Sequence, residues 1–171
     1  MPLTRLANSA IAGVASQRDG VVADAAKYAG SDLLCYRATT PESLIKRQAG
    51  IWDPLLAWAS DELSARFVTT QGIAFLAQDV KALAAITRAV QAIPAPFGLA
   101  AFHSITTLTG SVVLALAVAH GRLTSDQAWD AAHLDEDFQI SQWGRDEEAD
   151  ARRVLRRREF DAAVLMLALS R

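Results

Sequence analysis

Cysteine occurs once in the 171 residues, at Cys35, so no disulfide can close within the chain and nothing marks it as a secreted, cross-linked protein. An excess of one charge is also missing. Seventeen basic and 19 acidic residues leave a formal net charge of -2, which provides no global positive field for nucleic acid or an anionic membrane. There is no long apolar run: the most apolar stretch, Val112 to Ala119, is too short to cross a bilayer, so no membrane insertion is expected. The opening Met1-Pro2-Leu3-Thr4-Arg5 has neither the layout of a signal peptide nor that of a transit peptide, which fits a reducing cytoplasm or matrix. Residues that carry chemistry are equally sparse. The sequence has no glycine-rich phosphate loop and no G-x-S-x-G elbow, and its three histidines, His103, His120 and His133, are far apart with no second cysteine to join them. No metal site, cofactor or catalytic set is expected.

What the chain does have is apolar bulk and alanine. Apolar residues make up 51% and charged residues 21%, the balance of an ordinary folded protein, and the length suits a single domain over 1–171. Apolar residues recur every three or four positions through most of the sequence, which predicts a mainly α fold. We expect an orthogonal multi-helix bundle around a central apolar helix, with one or two short extended segments. Helices are predicted over 3–16 and 21–28, the second stopped by Gly30 in a left-handed conformation. Residues 32–37 read as extended. A helix starting at Thr40-Pro41, with Leu44, Gln48 and Ile51 inward, is expected to kink or to give way to a second, abutting helix at Trp52-Asp53-Pro54 and to continue to Leu63. Residues 66–73 read as a strand or turn, and 79–93 as an amphipathic helix. Residues 97–120, apolar almost all round, are assigned as the central helix, with Ser111 a packing residue inside it. Thr124 and Gln127 form a capping box for a helix over 125–143, stopped by Gly144, and a last helix spans 147–170.

Two conventional activities can be weighed from these residues. Cys35 with a histidine would make a thiol catalyst, but a lone cysteine among apolar neighbours is usually buried and inert. The cluster Arg152 to Arg158 would suit nucleic acid. Glu147, Glu148, Asp150, Glu159 and Asp161, three or four residues from several of those arginines, fit a solvated helix face with local ion pairs instead.

The helix over 125–143 carries more information. At 100° per residue, Ala131, Leu134 and Phe138 fall on one side and provide a stripe for docking on the bundle. Trp129, Ala132, Glu136, Ile140 and Trp143 fall on the other, placing a carboxylate between two tryptophans. A second apolar stripe of this kind suggests a partner surface, because tryptophan is enriched where proteins bind each other and a carboxylate among apolar groups pairs directionally. A helix simply sandwiched in the bundle, with Glu136 satisfied internally, would show the same pattern.

Four blocks in order, Pro2 to Asn8, Asp32 to Arg37, Trp52 to Trp58 and Leu134 to Gly144, resemble the chaperones that assemble the F-type ATP synthase head by binding its alpha subunit (Atp-twelve type). The resemblance spans essentially the whole chain, and its alanine- and arginine-rich alphabet looks alphaproteobacterial. It implies a non-enzymatic, monomeric protein of the bacterial cytoplasm, or of the mitochondrial matrix in eukaryotic relatives. Such a protein covers the free alpha subunit's surface for the beta subunit and leaves when the beta subunit docks. It implies a function for the acidic block, carried by Asp135 and Glu136 with Gln139 and Trp143 as neighbours; with Trp129 and Ile140 of the second stripe, these are the expected client-binding residues. It also implies an N-terminal β-rich domain preceding the position of Pro2, for which this chain has no residues. Which of Asp135 and Glu136 matters more stays open, and Cys35, Tyr36, Arg37, Trp52, Asp53 and Trp58 are expected to serve packing.

Overall fold

In the computed structural model, which describes every residue from Met1 to Arg171, nine α-helices surround an apolar centre and the only sheet has two strands. The mainly α expectation holds. Helix α1 (Pro2–Ser9) runs into a wide π turn at Ala10–Val14. Helix α2 (Arg18–Ala26) tightens into a 3₁₀ turn at Lys27–Ser31, so Gly30 lies within that turn and not in a left-handed cap. A second 3₁₀ turn, Leu33–Cys35, leads into β1 (Tyr36–Arg37). This strand pairs in parallel with β2 (Thr70–Gln71), Tyr36 opposite Thr70 and Arg37 opposite Gln71.

Between the two strands lies α3 (Glu42–Leu63), a single helix that carries Pro54 inside it and not the two abutting helices that were one of the expectations. Pro54 removes one backbone donor, at a cost of about 3 kcal/mol. Leu44, Gln48, Trp52, Leu55 and Ala59, all buried along one side, more than offset it. The inward residue at this point is Trp52, fully buried, and Ile51 is exposed. Helix α4 (Val80–Gln91) starts on Asp79, whose side chain caps it by accepting from the Lys81 amide.

The expected central helix is two helices. Helix α5 (Phe97–Thr109) ends on Gly110 in the left-handed conformation, and α6 (Val112–Ala119) starts afresh on Ser111. Ser111 is therefore an N-cap and not a packing residue: its Oγ accepts from the Leu114 amide at 3.0 Å. The restart is fixed from outside by the buried Asp32. One of its carboxylate oxygens accepts from the Ser111 hydroxyl (2.7 Å) and the Leu34 amide (3.1 Å), and the other from the Val113 amide (3.1 Å). Gly110 closes the joint by accepting from the Leu33 amide at 3.1 Å. Helix α6 can be apolar on every side because it lies between two cores. Val112, Ala115, Leu116 and Val118 belong to the larger core with α2, α4, α5 and the C-terminal helix. Val113, Leu114 and Ala117 belong to a smaller core with Trp52, Leu55, Leu134 and Phe138.

The capping box forms as its sequence predicts: the Gln127 amide donates to Thr124 Oγ1 (3.2 Å) and the Thr124 amide to Gln127 Oε1 (2.9 Å). The helix it starts is shorter than expected. Helix α7 (Ser125–Ala132) stops at His133, α8 (Leu134–Trp143) follows in a new direction, and α9 (Glu147–Leu169) packs along α5 and α1. Gly98 lets the end of α9 approach α5 closely, since a Cβ there would stand 3.2 Å from that of Ser170. No helix is long and apolar enough to cross a membrane.

Candidate functional site

The acidic block lies in the first turn of α8, where Asp135, Glu136 and Asp137 complement the positive end of the helix. Leu134 and Phe138 turn inward against α3 and fix the helix azimuth, and Arg47 of α3 lies over the Phe138 ring at 5.6 Å. The three carboxylates then point to different neighbours. Asp135 faces α3, where its Oδ1 accepts from the buried amide of Gln48 at 2.7 Å. The other end of Gln48 accepts from the Ala38 amide beside β1 at 2.9 Å. Glu136 and Asp137 face α9: Asp137 pairs with Arg153 at 2.7 Å, and Glu136 with Arg153 at 3.6 Å and Arg156 at 3.4 Å.

Glu136, Ile140 and Trp143 share one side of α8, as the spacing predicts. Trp143 is 85% exposed, Gln139 beside it is exposed, and Ile140 is partly covered. From α9, the exposed Val154 and Leu155 add apolar surface among the arginines.

Trp129 does not stand on that face, which corrects the expectation of one two-sided helix. It is 4% exposed, stacks on the His133 ring at 3.8 Å and tilts against Phe160 at 5.4 Å. The physical reason is α9, whose Phe160, Arg153 and Arg157 cover the ring, together with the bonds that end α7 at His133. The Ala131 carbonyl is taken by the Trp52 indole N–H of α3 at 2.9 Å. The His133 ring folds back so that Nδ1 donates to the Trp129 carbonyl at 2.8 Å. These bonds end α7 at His133, yet Arg153 reaches both the Trp129 ring and Glu136, so both residues face α9 and Trp129 alone is buried there. Burial holds the His133 pKa below the ordinary imidazole value, and Arg153 and Arg156 add to the effect against the Trp129 hydrogen bond and Glu136.

The arginines of α9 are largely occupied. Arg152 pairs with Glu148, Arg153 with Asp137, Arg156 with Glu136, and Arg157 with Asp161 and Asp126. Two of these pairs are the local i,i+4 kind, but Arg153 and Arg156 find their carboxylates on α8. This leaves little free positive charge along the helix for a duplex. Arg37, Trp52 and Asp53 are packing residues, as expected. Arg37 lies over the Trp52 ring at 5.5 Å, donates to the Leu34 carbonyl at 2.7 Å and pairs with Asp53 at 2.8 Å.

Cys35 is fully buried, and burial together with the neighbouring Asp32 charge pushes its thiol up to about 12, against a smaller opposite pull from Arg37. A thiol so placed is neither ionised nor reachable at neutral pH. We expect a disulfide reagent such as Ellman's to leave Cys35 unmodified in the native protein, and to label it at once in guanidinium. The native reaction should be slower by roughly a thousandfold or more, because it requires local opening. A native rate within about tenfold of the unfolded one would restore Cys35 as a candidate nucleophile. The three histidines fall in separate places: His103 against Asp24 at 2.5 Å, His120 at the edge of Trp58, and His133 on Trp129.

Comparison with known proteins finds the profile of the ATP12 chaperone protein family on residues 1–60. Among solved structures, Atp12 from Paracoccus denitrificans is similar over 100% of this chain and 73% of its own length, at 44% identity and a TM-score of 0.95. An Asp→Lys mutant of the Paracoccus protein superposes equally well. A candidate chaperone from Agrobacterium tumefaciens matches 98% of this chain at 46% identity and a TM-score of 0.94, and the match spans 63% of that protein.

Proposed function

The chain belongs to the ATP12 chaperone family, and from that premise we propose that it assists assembly of the F-type ATP synthase head by binding the unassembled alpha subunit. The binding face is the outer side of α8 and the adjoining surface of α9, centred on Glu136. It covers the alpha-subunit surface destined for the beta subunit until that subunit displaces it. The place of action is the compartment where the alpha subunit is made, the cytoplasm in bacteria.

The observation that carries this reading is Trp143: a tryptophan 85% exposed, one turn from Ile140 and two from Glu136, with no partner in its own chain. Burying such a side chain against a client contributes far more than the surrounding polar contacts, which set register and exclude water. Glu136 and Asp135 have different roles. Asp135 is committed to Gln48 and through it to β1, so it anchors the start of α8. Glu136, held at 3.4–3.6 Å by two arginines, retains exposed carboxylate surface and can exchange one of those partners for a group on the client. Gln139 flanks it as an adaptable hydrogen-bonding group. No step of this action makes or breaks a covalent bond.

The Glu136→Lys variant tests the reading, because it replaces the carboxylate with a cation beside Arg153 and Arg156 while touching no core residue. Helicity and melting temperature should stay near those of the native protein. Co-purification of the alpha subunit, and its solubility when the two are co-expressed, should be lost. Trp143→Ala should weaken capture by at least about tenfold. Undiminished capture by a folded Glu136→Lys protein would remove this face from the binding site.

A further inference from the structure

Beside Arg153, a groove is formed by α7, the α8–α9 connection and the N-terminal half of α9. Trp129 and Val154 line it, with Arg145, Arg153, Arg157 and Arg158 and a single carboxylate, Asp150. Arg153 and Arg157 already hold carboxylates of the chain and lie over the Trp129 ring at 5.9 and 5.3 Å, which fixes the tryptophan as the groove's floor. The other two arginines are free to act. Arg158 has no acidic partner, and Arg145 is 75% exposed with one link to Asp150 at 3.3 Å.

The floor itself is unusual. Trp129 is 4% exposed, yet its indole N–H donates to no group of the chain, whereas the Trp52 indole is satisfied by the Ala131 carbonyl at 2.9 Å. Arg37 Nη2 is the one fully buried side-chain polar atom without a partner, so the Trp129 N–H is not sealed in the core and opens onto the groove it lines. Trp129 Nε1, Arg158 and Arg145 therefore are donors lining one groove, whose single lining carboxylate is Asp150.

We infer that this groove is a second client subsite, in which Trp129 Nε1 and the Arg158 and Arg145 guanidinium groups grip a glutamate or aspartate side chain of an acidic client segment. The inference rests on the proposed chaperone action and adds to it the chemistry of a second contact. A lone carboxylate fits better than a polyanion. Asp126, Asp137, Asp150, Asp161 and Glu136 stand around the same arginines, so the net local charge is small and the attraction is directional and short-ranged. Val154, 53% exposed, offers an apolar contact for the residue next to the acid.

The test follows the Trp129 indole N–H resonance, assigned by triple-resonance methods, in ¹⁵N-labelled full chain at low salt. The probe is an acetylated, amidated Glu-Leu-Glu-Glu peptide, with Gln-Leu-Gln-Gln and inorganic phosphate as controls. The glutamate peptide should shift the Trp129 signal saturably and leave that of Trp52 in place. Neither control should do so. The double variant Arg145→Glu/Arg158→Glu, altering one unpaired and one largely exposed side chain, should lose at least roughly tenfold in peptide affinity and a similar factor in alpha-subunit capture. An unmoved Trp129 signal, or a shift reproduced by phosphate or by the glutamine peptide, overturns the inference. A peptide response that persists while the double variant captures the alpha subunit normally also overturns it, and leaves the Glu136 face standing. Glu136→Lys should keep the peptide response, which separates failure of the groove from failure of the main site.

Discussion

Replacing Trp52 with alanine should cost about 3–5 kcal/mol of stability, a fall in melting temperature of roughly 10–15 °C for a chain of this size. Two losses add. The side chain is fully buried in the smaller core between α3, α6 and the α7–α8 corner, so its removal leaves a large cavity. Its indole N–H is also the donor that satisfies the Ala131 carbonyl at the end of α7, and the Arg37 guanidinium rests on its face. Trp52→Phe separates the two, because it retains most of the packing and removes only the donor. About 1–3 kcal/mol of the loss should remain in that variant. Urea melts of both proteins, with the m-value checked for constancy, measure the effect. A Trp52→Ala cost below about 1 kcal/mol would show that the α7–α8 corner is held by something else. Because the corner sets the direction of α8, the alanine variant should also lose client capture, though it alters no residue of the binding face.

Asp32→Asn should cost about 2–4 kcal/mol at pH 7. Its carboxylate faces three donors, the Ser111 hydroxyl and the Leu34 and Val113 amides, so an amide nitrogen in place of either oxygen opposes a donor with a donor. The pH dependence is as informative. Burial pushes the Asp32 carboxyl up from 3.8 to about 6, against the opposing pull of the hydrogen bonds from Ser111 and the amides. The folded protein therefore binds this proton more tightly than the unfolded chain. The stability the proton contributes is present at low pH and is lost as pH rises from about 4 through the folded value of about 6, levelling off about one unit above it. Melts across this window should show the native protein gaining roughly 2–3 kcal/mol on Asp32→Asn as pH falls from 6 to 4. A difference that is flat with pH would contradict the assigned proton, and equal stability at pH 7 would contradict the role of Asp32 in holding the start of α6.

Much of the architecture could be read from residue pattern alone. The capping box at Thr124 and Gln127 appears where the sequence puts it, because it is made by residues three positions apart. The common side of Glu136, Ile140 and Trp143 was equally legible, since they lie within one uninterrupted helix. Trp129 was misplaced for the converse reason: the side chains that cover it, Phe160, Arg153 and Arg157, come from α9, and the Trp52 indole that helps to end its helix is 79 residues from the Ala131 carbonyl it serves. The ion pairs of Arg153 and Arg156 with α8 were hidden in the same way, behind plausible local partners such as Asp150 and Glu159.

By itself, then, the sequence determined that this protein is helical, which side of each helix is apolar, which residues start several of them, and, through its four motif blocks, the family it resembles. Tertiary structure decided where two long helical stretches divide, at Gly110-Ser111 and at Ala132-His133, and hence which side chains meet on the outer face. The physical reason is that ending a helix leaves backbone groups without partners, and the groups that satisfy them here, the Asp32 carboxylate and the Trp52 indole, come from distant parts of the chain that only folding brings together.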